Sequence, residues 1–232
     1  MKKSNEGPAT RIGRPRITNQ GEIQHAAMRL FNSRGFEDVT MDEIADAAGV
    51  SRRTLFRYFA TKHDLVWGEF DGSLLTMRLL LEQYARELPL REALRKAVID
   101  FNSVPDSELE THRQRMRMIL GVPGLQAHST LKYADWRKEI VDFLREQGVG
   151  SKSSWYPDLI GHLCLAASLS AYENWLECEG SDLCTLLDQA YSMLIIGLNE
   201  DLTAPTATQL KQSRTTSRAA STRQAARTRS KN

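Results

Sequence analysis

The chain has three cysteines in 232 residues, Cys164, Cys178 and Cys184. An odd number without a C-x-x-C spacing argues against a disulfide framework and against a zinc ribbon. A long hydrophobic run is missing too. The most apolar stretch, LIGHLCLAASLSAY at 159–172, falls short of the ~20 residues that span a bilayer and carries His162. No apolar segment follows the charged first residues, so no export signal and no membrane association are expected, and the cytoplasm is the expected setting. Sustained period-2 alternation is absent, which removes a sheet as the main framework. There is no glycine-rich phosphate loop, metal-binding histidine pair or nucleophile elbow. His162 and Cys164 stand roughly 200° apart on a helix, too far round to act as nucleophile and base. The chain therefore reads as a non-enzyme without cofactor or metal.

Charge is present but segregated. The net charge is only +2, yet residues 1–20 carry five Lys/Arg against one Glu, and residues 203–232 carry seven Lys/Arg and no acid. Between 21 and 202 that leaves nineteen basic and twenty-eight acidic groups, a net of −9. A mildly acidic body with two basic arms is a pattern suited to a polyanionic partner, although solubility alone also explains basic ends. After Pro205 the composition collapses to Ser, Thr, Arg, Ala and Gln, which cannot offset the entropy of ordering, so a disordered tail is expected.

Apolar spacings of three and four recur from 23 to 202, which predicts an all-α protein. Ile23, Ala26, Ala27, Leu30 and Phe31 stripe a first helix closed by Gly35. Thr40 and Glu43 have the spacing of a capping box for a second helix, and Gly49 ends it. Ser51 caps a third helix. Thr61 with Asp64 begins a fourth, expected to run from 62 to about 84. Further helices are predicted near 90–103, 107–121, 124–147, 156–179 and 182–201, separated by Pro105, Pro123 and the GVGSKSSWYP loop.

The stretch GVSRRTLFRYFATKHDL at 49–65 concentrates the chemistry. On a helical wheel Leu55 and Phe59 fall roughly 40° apart and should pack against Ile44, Ala45, Ala48, Leu30 and Phe31. Arg53 and Arg57 then point away from the core, flanked by Thr54 and Phe56. Two like charges four apart repel modestly, so an anionic or guanine-like partner explains them better than folding does. Helix, Gly-Val turn and short helix is the helix-turn-helix pattern, whose second helix enters the major groove. Arginines there can reach guanine O6 and N7, with Thr54 or Phe56 against a thymine methyl. Lys62 and His63 occupy the first turn of the fourth helix, an unfavourable place for a cation, which a DNA phosphate would repair. Thr40 and Tyr58 add hydroxyl donors.

At AAMRLFNSRGFEDVTMDEIADAAGVSRRTLFRYFATKHDL the chain resembles the DNA-binding domain of the TetR family of bacterial transcriptional regulators. The family usually carries Tyr at the position of Phe56 and often His at that of Tyr58, so the phosphate contact passes to Tyr58 and Lys62. The resemblance implies a homodimer on a palindromic operator, acting as a repressor that a small-molecule effector releases. The implied DNA-binding set is Arg14, Thr40, Ser51, Arg52, Arg53, Thr54, Phe56, Arg57, Tyr58, Lys62 and His63. More narrowly, HRQRMRMIL, LQAHSTLKYADWRKEIVDF and LSAYENWL are similar to the regulators of mycofactocin biosynthesis systems. This likeness spans most of 11–200 and implies a long-chain acyl-coenzyme A as effector.

The expected organisation is a basic arm at 1–19, a helix-turn-helix domain at 20–70, a helical effector-binding and dimerisation domain at 71–202, and the tail at 203–232. The two last helices are the expected dimer face, with Ala166, Ala167, Ser168 and Ala171 permitting close approach. Met116, Leu120, Tyr133, Trp136, Ser168, Tyr172 and Trp175 suit an effector cavity with an apolar body and polar tips. Ordinary core packing accounts for the same residues. Arg113 and Arg117, four apart, suit a clamp on a phosphorylated or carboxylated ligand; helical pairs with Glu108 or Glu110 are the alternative. A rival reading of the whole chain is a helical ligand-binding or scaffolding protein whose arms bind nucleic acid nonspecifically.

Overall fold

A computed structural model describes residues 20–151 and 153–197, and the basic arm with Arg14, the 203–232 tail and the expected end of the last helix lie outside the described residues. Every regular element among the described residues is a helix. They fall into two compact units that divide between Gly68 and Glu69.

The first unit begins with α1, Gln20–Arg34, which buries Ile23, Ala26, Ala27, Met28 and Phe31. In α2, Met41–Ala48, the Thr40 hydroxyl accepts from the Glu43 N–H while the Glu43 carboxylate accepts from the Thr40 N–H at 2.8 Å. This is the reciprocal box the spacing predicted. Arg34 adds an ion pair to Glu43 at 2.7 Å. Together these partners pull the Glu43 carboxyl down to about 2, the Thr40 backbone bond contributing most. Gly49, at φ 66°, closes α2 by donating to Ala45 and Asp46. Thr40→Ala is expected to cost the unit about 1 kcal/mol, measured as a lower urea midpoint with unchanged slope.

Helix α3, Arg52–Tyr58, starts at Ser51, whose hydroxyl accepts from the Thr54 N–H. Helix α4 spans Lys62–Trp67 behind a second capping box, Thr61 with Asp64. Leu55, Phe59, Ile44, Phe31, Leu65 and Val66 form the core on which these short helices stand. Hydrophobic burial holds them, because helices of six to eight residues are marginal by themselves.

A single helix over 62–84 is not what forms. The chain breaks after Trp67 at Gly68, which takes φ 60° and ψ −136°, a conformation essentially restricted to glycine. A Cβ there would also run into the Gln24 side chain. The next helix, α5, starts at Phe70 and runs to Ala85. The fourth helix expected from 62 to about 84 is therefore two helices, α4 and α5.

The second unit continues through α6 Leu90–Phe101, α7 Asp106–Gly121, α8 Pro123–Glu146, α9 Tyr156–Glu177 and α10 Leu183–Gly197. Prolines punctuate it: Pro89 and Pro105 sit just before α6 and α7, and Pro123 opens α8, where a missing N–H costs nothing. Helix α9 packs on α7, α8 and α10. The crossing with α8 is close, since a Cβ on Gly161 would stand 2.8 Å from Val141 Cγ2. Arg95 pairs with Asp188 and Arg78 with Glu146, tying α6 to α10 and α5 to α8.

Small residues on α9 serve the inside of the chain in part. Ser168 and Ala171 are buried, and the Ser168 hydroxyl lies 3.1 Å from that of Tyr191, which donates to the Cys164 carbonyl. Ala166 is exposed. On α10 Leu183, Leu187 and Tyr191 face inward, whereas Met193 stays 74% exposed. Burial raises the Cys164 thiol to about 12, so it is a packing residue without nucleophilic character at neutral pH.

Candidate functional site

Helix α3 presents its arginines outward because Leu55 fixes its inner face. Arg53 is exposed and has no hydrogen bond or ion pair among the described residues. Arg57 is exposed as well, but its guanidinium stacks 4.8 Å above the Tyr58 ring and donates to the Tyr58 hydroxyl at 3.1 Å. Arg52 reaches back to Asp42 at 3.0 Å and lies over the Phe56 ring at 5.4 Å. Phe56 and Tyr58 remain 40% and 37% exposed. The surface thus holds guanidiniums interleaved with aromatic faces, a combination that offers base-edge hydrogen bonds and apolar contact to a thymine methyl.

The hydroxyls of Thr40 and Ser51 are engaged as helix caps, Thr40 also donating to Glu43 and Ser51 bonding Thr54 at 2.8 Å. Lys62 has an intramolecular role that its sequence position hid. Its ammonium donates to the carbonyls of Phe36 at 2.7 Å and Glu37 at 3.2 Å and lies 4.4 Å above the Phe36 ring. The Asp64 carboxylate already supplies the anion that the α4 N-terminus favours. No phosphate is needed to explain a lysine there. His63 packs its ring 5.3 Å from the Phe36 ring.

In the second unit the structure gathers most of the expected effector residues inside. Arg113, Met116, Trp136, Ser168, Tyr172 and Trp175 are buried, and Leu120 and Tyr133 are half-buried. Arg117 is exposed, so the Arg113–Arg117 clamp does not form. Arg113 instead donates to the Trp175 carbonyl at 2.6 Å with its guanidinium 4.1 Å above the indole. The inward companion is the half-buried Arg115, although the four-residue spacing favoured Arg117 as the partner of Arg113.

A polar relay links the C-cap of α6 with α7 and α9 here. Asn102 donates to the Val98 carbonyl, which fixes its oxygen as acceptor for the Tyr172 hydroxyl at 2.8 Å. With that proton committed, the Tyr172 oxygen accepts from His112 Nε2 at 2.9 Å, so the imidazole carries its proton on Nε2. Burial, reinforced by the Arg115 charge, lowers His112 from 6.5 to about 4. The unfolded chain takes up this proton near 6.5 and the folded chain only near 4. Stability should therefore be flat above pH 6.5 and decline by on the order of 3 kcal/mol as pH falls to 4. Urea titrations at several pH values check this, with His112→Gln expected to lose much of that slope.

A separate cleft of about 180 Å³ between α8 and α9, lined by Arg137, Lys138, Val141, Arg145, Asp158 and His162, contains none of the expected effector residues. Two of its cations are already neutralised, Lys138 by Asp142 and Arg145 by Asp158.

Comparison with known proteins bears on both units. Residues 23–66 match the family model for bacterial regulatory proteins of the tetR family, and residues 88–199 match the MftR C-terminal domain. The MftR protein of Mycobacterium tuberculosis, named for transcriptional regulation of mycofactocin biosynthesis, is 41% identical over 82% of this chain and 96% of its own length. Among solved structures, SmeT, the repressor of the Stenotrophomonas maltophilia multidrug efflux pump SmeDEF, aligns with a TM-score of 0.57 at 18% identity, covering 82% of this chain and 96% of its own. Thermus thermophilus FadR, a TetR family repressor in complex with lauroyl-CoA, aligns with a TM-score of 0.53 at 24% identity, covering 81% and 98%.

Proposed function

Because this chain belongs to the TetR family of ligand-responsive DNA-binding repressors, with an MftR-type C-terminal domain, we propose that α3 reads a palindromic operator from a homodimer and that a long-chain acyl-coenzyme A bound in the second unit releases it. The observation that carries the DNA-reading half is Arg53: an exposed guanidinium on a helix whose opposite side is fully buried, with no partner of its own among the described residues. Arg57, Thr54 and Phe56 share the surface. Arg52 and Lys62 act first within the protein, through Asp42 and through the Phe36 and Glu37 carbonyls.

For the effector half, support comes from the buried mixture of aromatic, apolar and cationic side chains around Tyr172 and Trp175, and from the likeness to an acyl-CoA-bound repressor. The half-exposed apolar residues Leu186, Ala190 and Leu194 with exposed Met193 on α10 support this helix as part of the dimer contact. Release requires that the ligand favour a state of the dimer in which the two recognition helices no longer match successive major grooves, ~34–36 Å apart. Linkage then makes the effect reciprocal: operator DNA weakens the acyl-CoA by the factor by which acyl-CoA weakens DNA. Calorimetric titration of dodecanoyl-CoA into the free protein and into its operator complex tests this reading. Equal affinities in the two titrations contradict it.

A further inference from the structure

Two guanidiniums enter the interior of the second unit from α7 without a carboxylate to meet them. Arg113 is buried and spends one N–H on the Trp175 carbonyl. Arg115 is half-buried, and its Nε, shut off from solvent, has no acceptor. Neither forms an ion pair among the described residues. Glu108, whose field reaches Arg115, is exposed. Beside them the fully buried Trp175 leaves its Nε1 without an acceptor.

Trp175 stands in an aromatic cluster, with Arg113 over its ring. The His112 ring lies 5.7 Å from that of Tyr172 and 5.8 Å from that of Trp175, and the Tyr172 and Trp175 rings are 6.0 Å apart. The Arg115 charge acts on both His112 and Tyr172. A guanidinium N–H and an indole N–H donate only. Leaving both buried and unsatisfied costs free energy, and leaving two cations without a counter-charge costs more. One added component removes both penalties: an oxygen acceptor that is negatively charged.

We propose that Arg115 and Trp175, with Arg113 beside them, form the anchor for an oxyanion on the effector's head, either the carboxylate of a fatty acid or a phosphate of coenzyme A. This rests on the reading of the second unit as the effector domain and names the group it recognises. Tyr172 and His112 fix the anchor's wall: the relay to Asn102 commits the tyrosine proton and keeps the imidazole neutral, so the positive charge facing the ligand is that of the arginines. The apolar side chains of Met116 and Ile119, one and two turns beyond His112 on its face of α7, suit the ligand's chain.

The test uses the full-length protein and three probes of one chain length: dodecanoate, dodecanoyl-CoA and dodecanol. Calorimetry is run on wild type, Arg115→Met and Trp175→Phe, the last keeping an aromatic ring while deleting the N–H. Each variant is expected to lose about tenfold or more in affinity for at least one anionic probe and to keep its dodecanol affinity, which also verifies an intact fold. A loss for dodecanoate identifies the carboxylate as the anchored group; a loss confined to dodecanoyl-CoA identifies a phosphate. Unchanged affinities for both anions overturn the anchor, as does failure of wild type to bind either. Operator release is measured in parallel. If anion binding depends on Arg115 while the operator stays bound, the anchor stands and the regulatory reading falls; if the operator is released but the variants bind as wild type, the reverse holds.

Discussion

Leu55→Ala is expected to abolish DNA binding without touching DNA. The side chain is fully inaccessible and is the buried residue of the seven-residue α3, which packs on α2. Truncating a buried leucine removes its transfer free energy and leaves a cavity, together ~2–5 kcal/mol. That is a large share of what a unit of this size holds, since small domains bury proportionally little surface. Hydrogen exchange should show α1 to α4 losing protection while α6 to α9 keep theirs, and acyl-CoA binding should persist. Uniform loss in both units would mean that they do not open separately.

Substituting the recognition arginines gives the second large effect, and the structure ranks the two. Arg53→Ala deletes a guanidinium that has no competing partner among the described residues, so the full value of a bidentate base contact, ~1–3 kcal/mol or roughly 5–150-fold, is lost on operator DNA. Arg57→Ala should cost less, because Arg57 must give up its bond to the Tyr58 hydroxyl before reading a base. On random duplex both variants should lose far less than on operator, as a base contact carries sequence information and a phosphate contact does not. Lys62→Ala differs in kind: it frees two loop carbonyls and lowers stability. Its effect on DNA should follow its urea midpoint. Equal losses on operator and random DNA for Arg53→Ala would remove it from base reading.

Local signals were legible in the sequence and distant ones were not. Thr40 with Glu43, Thr61 with Asp64, and the Gly49 and proline punctuation act within four residues, so the starts of α2, α3 and α4 and the order of the helices could be read directly. Gly68 was hidden because the residues on both sides of it read as helical. Its role depends on Gln24, far away along the chain. Lys62 seemed stranded at a helix start because the carbonyls it satisfies belong to a loop some twenty-five residues earlier. In the second unit the four-residue spacing pointed to Arg117 beside Arg113, and only the packing of α8 and α9 around α7 leaves Arg117 exposed and Arg115 half-buried. The Asn102, His112 and Tyr172 relay joins the C-cap of α6 to α7 and α9, which no spacing along a single segment can announce.

Footprinting the DNA upstream of the protein's own gene tests the central claim most directly, with wild type and Arg53→Ala compared at fixed salt. A palindrome protected by wild type, its half-sites one helical turn or a multiple apart, with protection lost on adding dodecanoyl-CoA and in the Arg53 variant, is the predicted result. Protection spread evenly along the duplex, indifferent to both the ligand and Arg53, would contradict it.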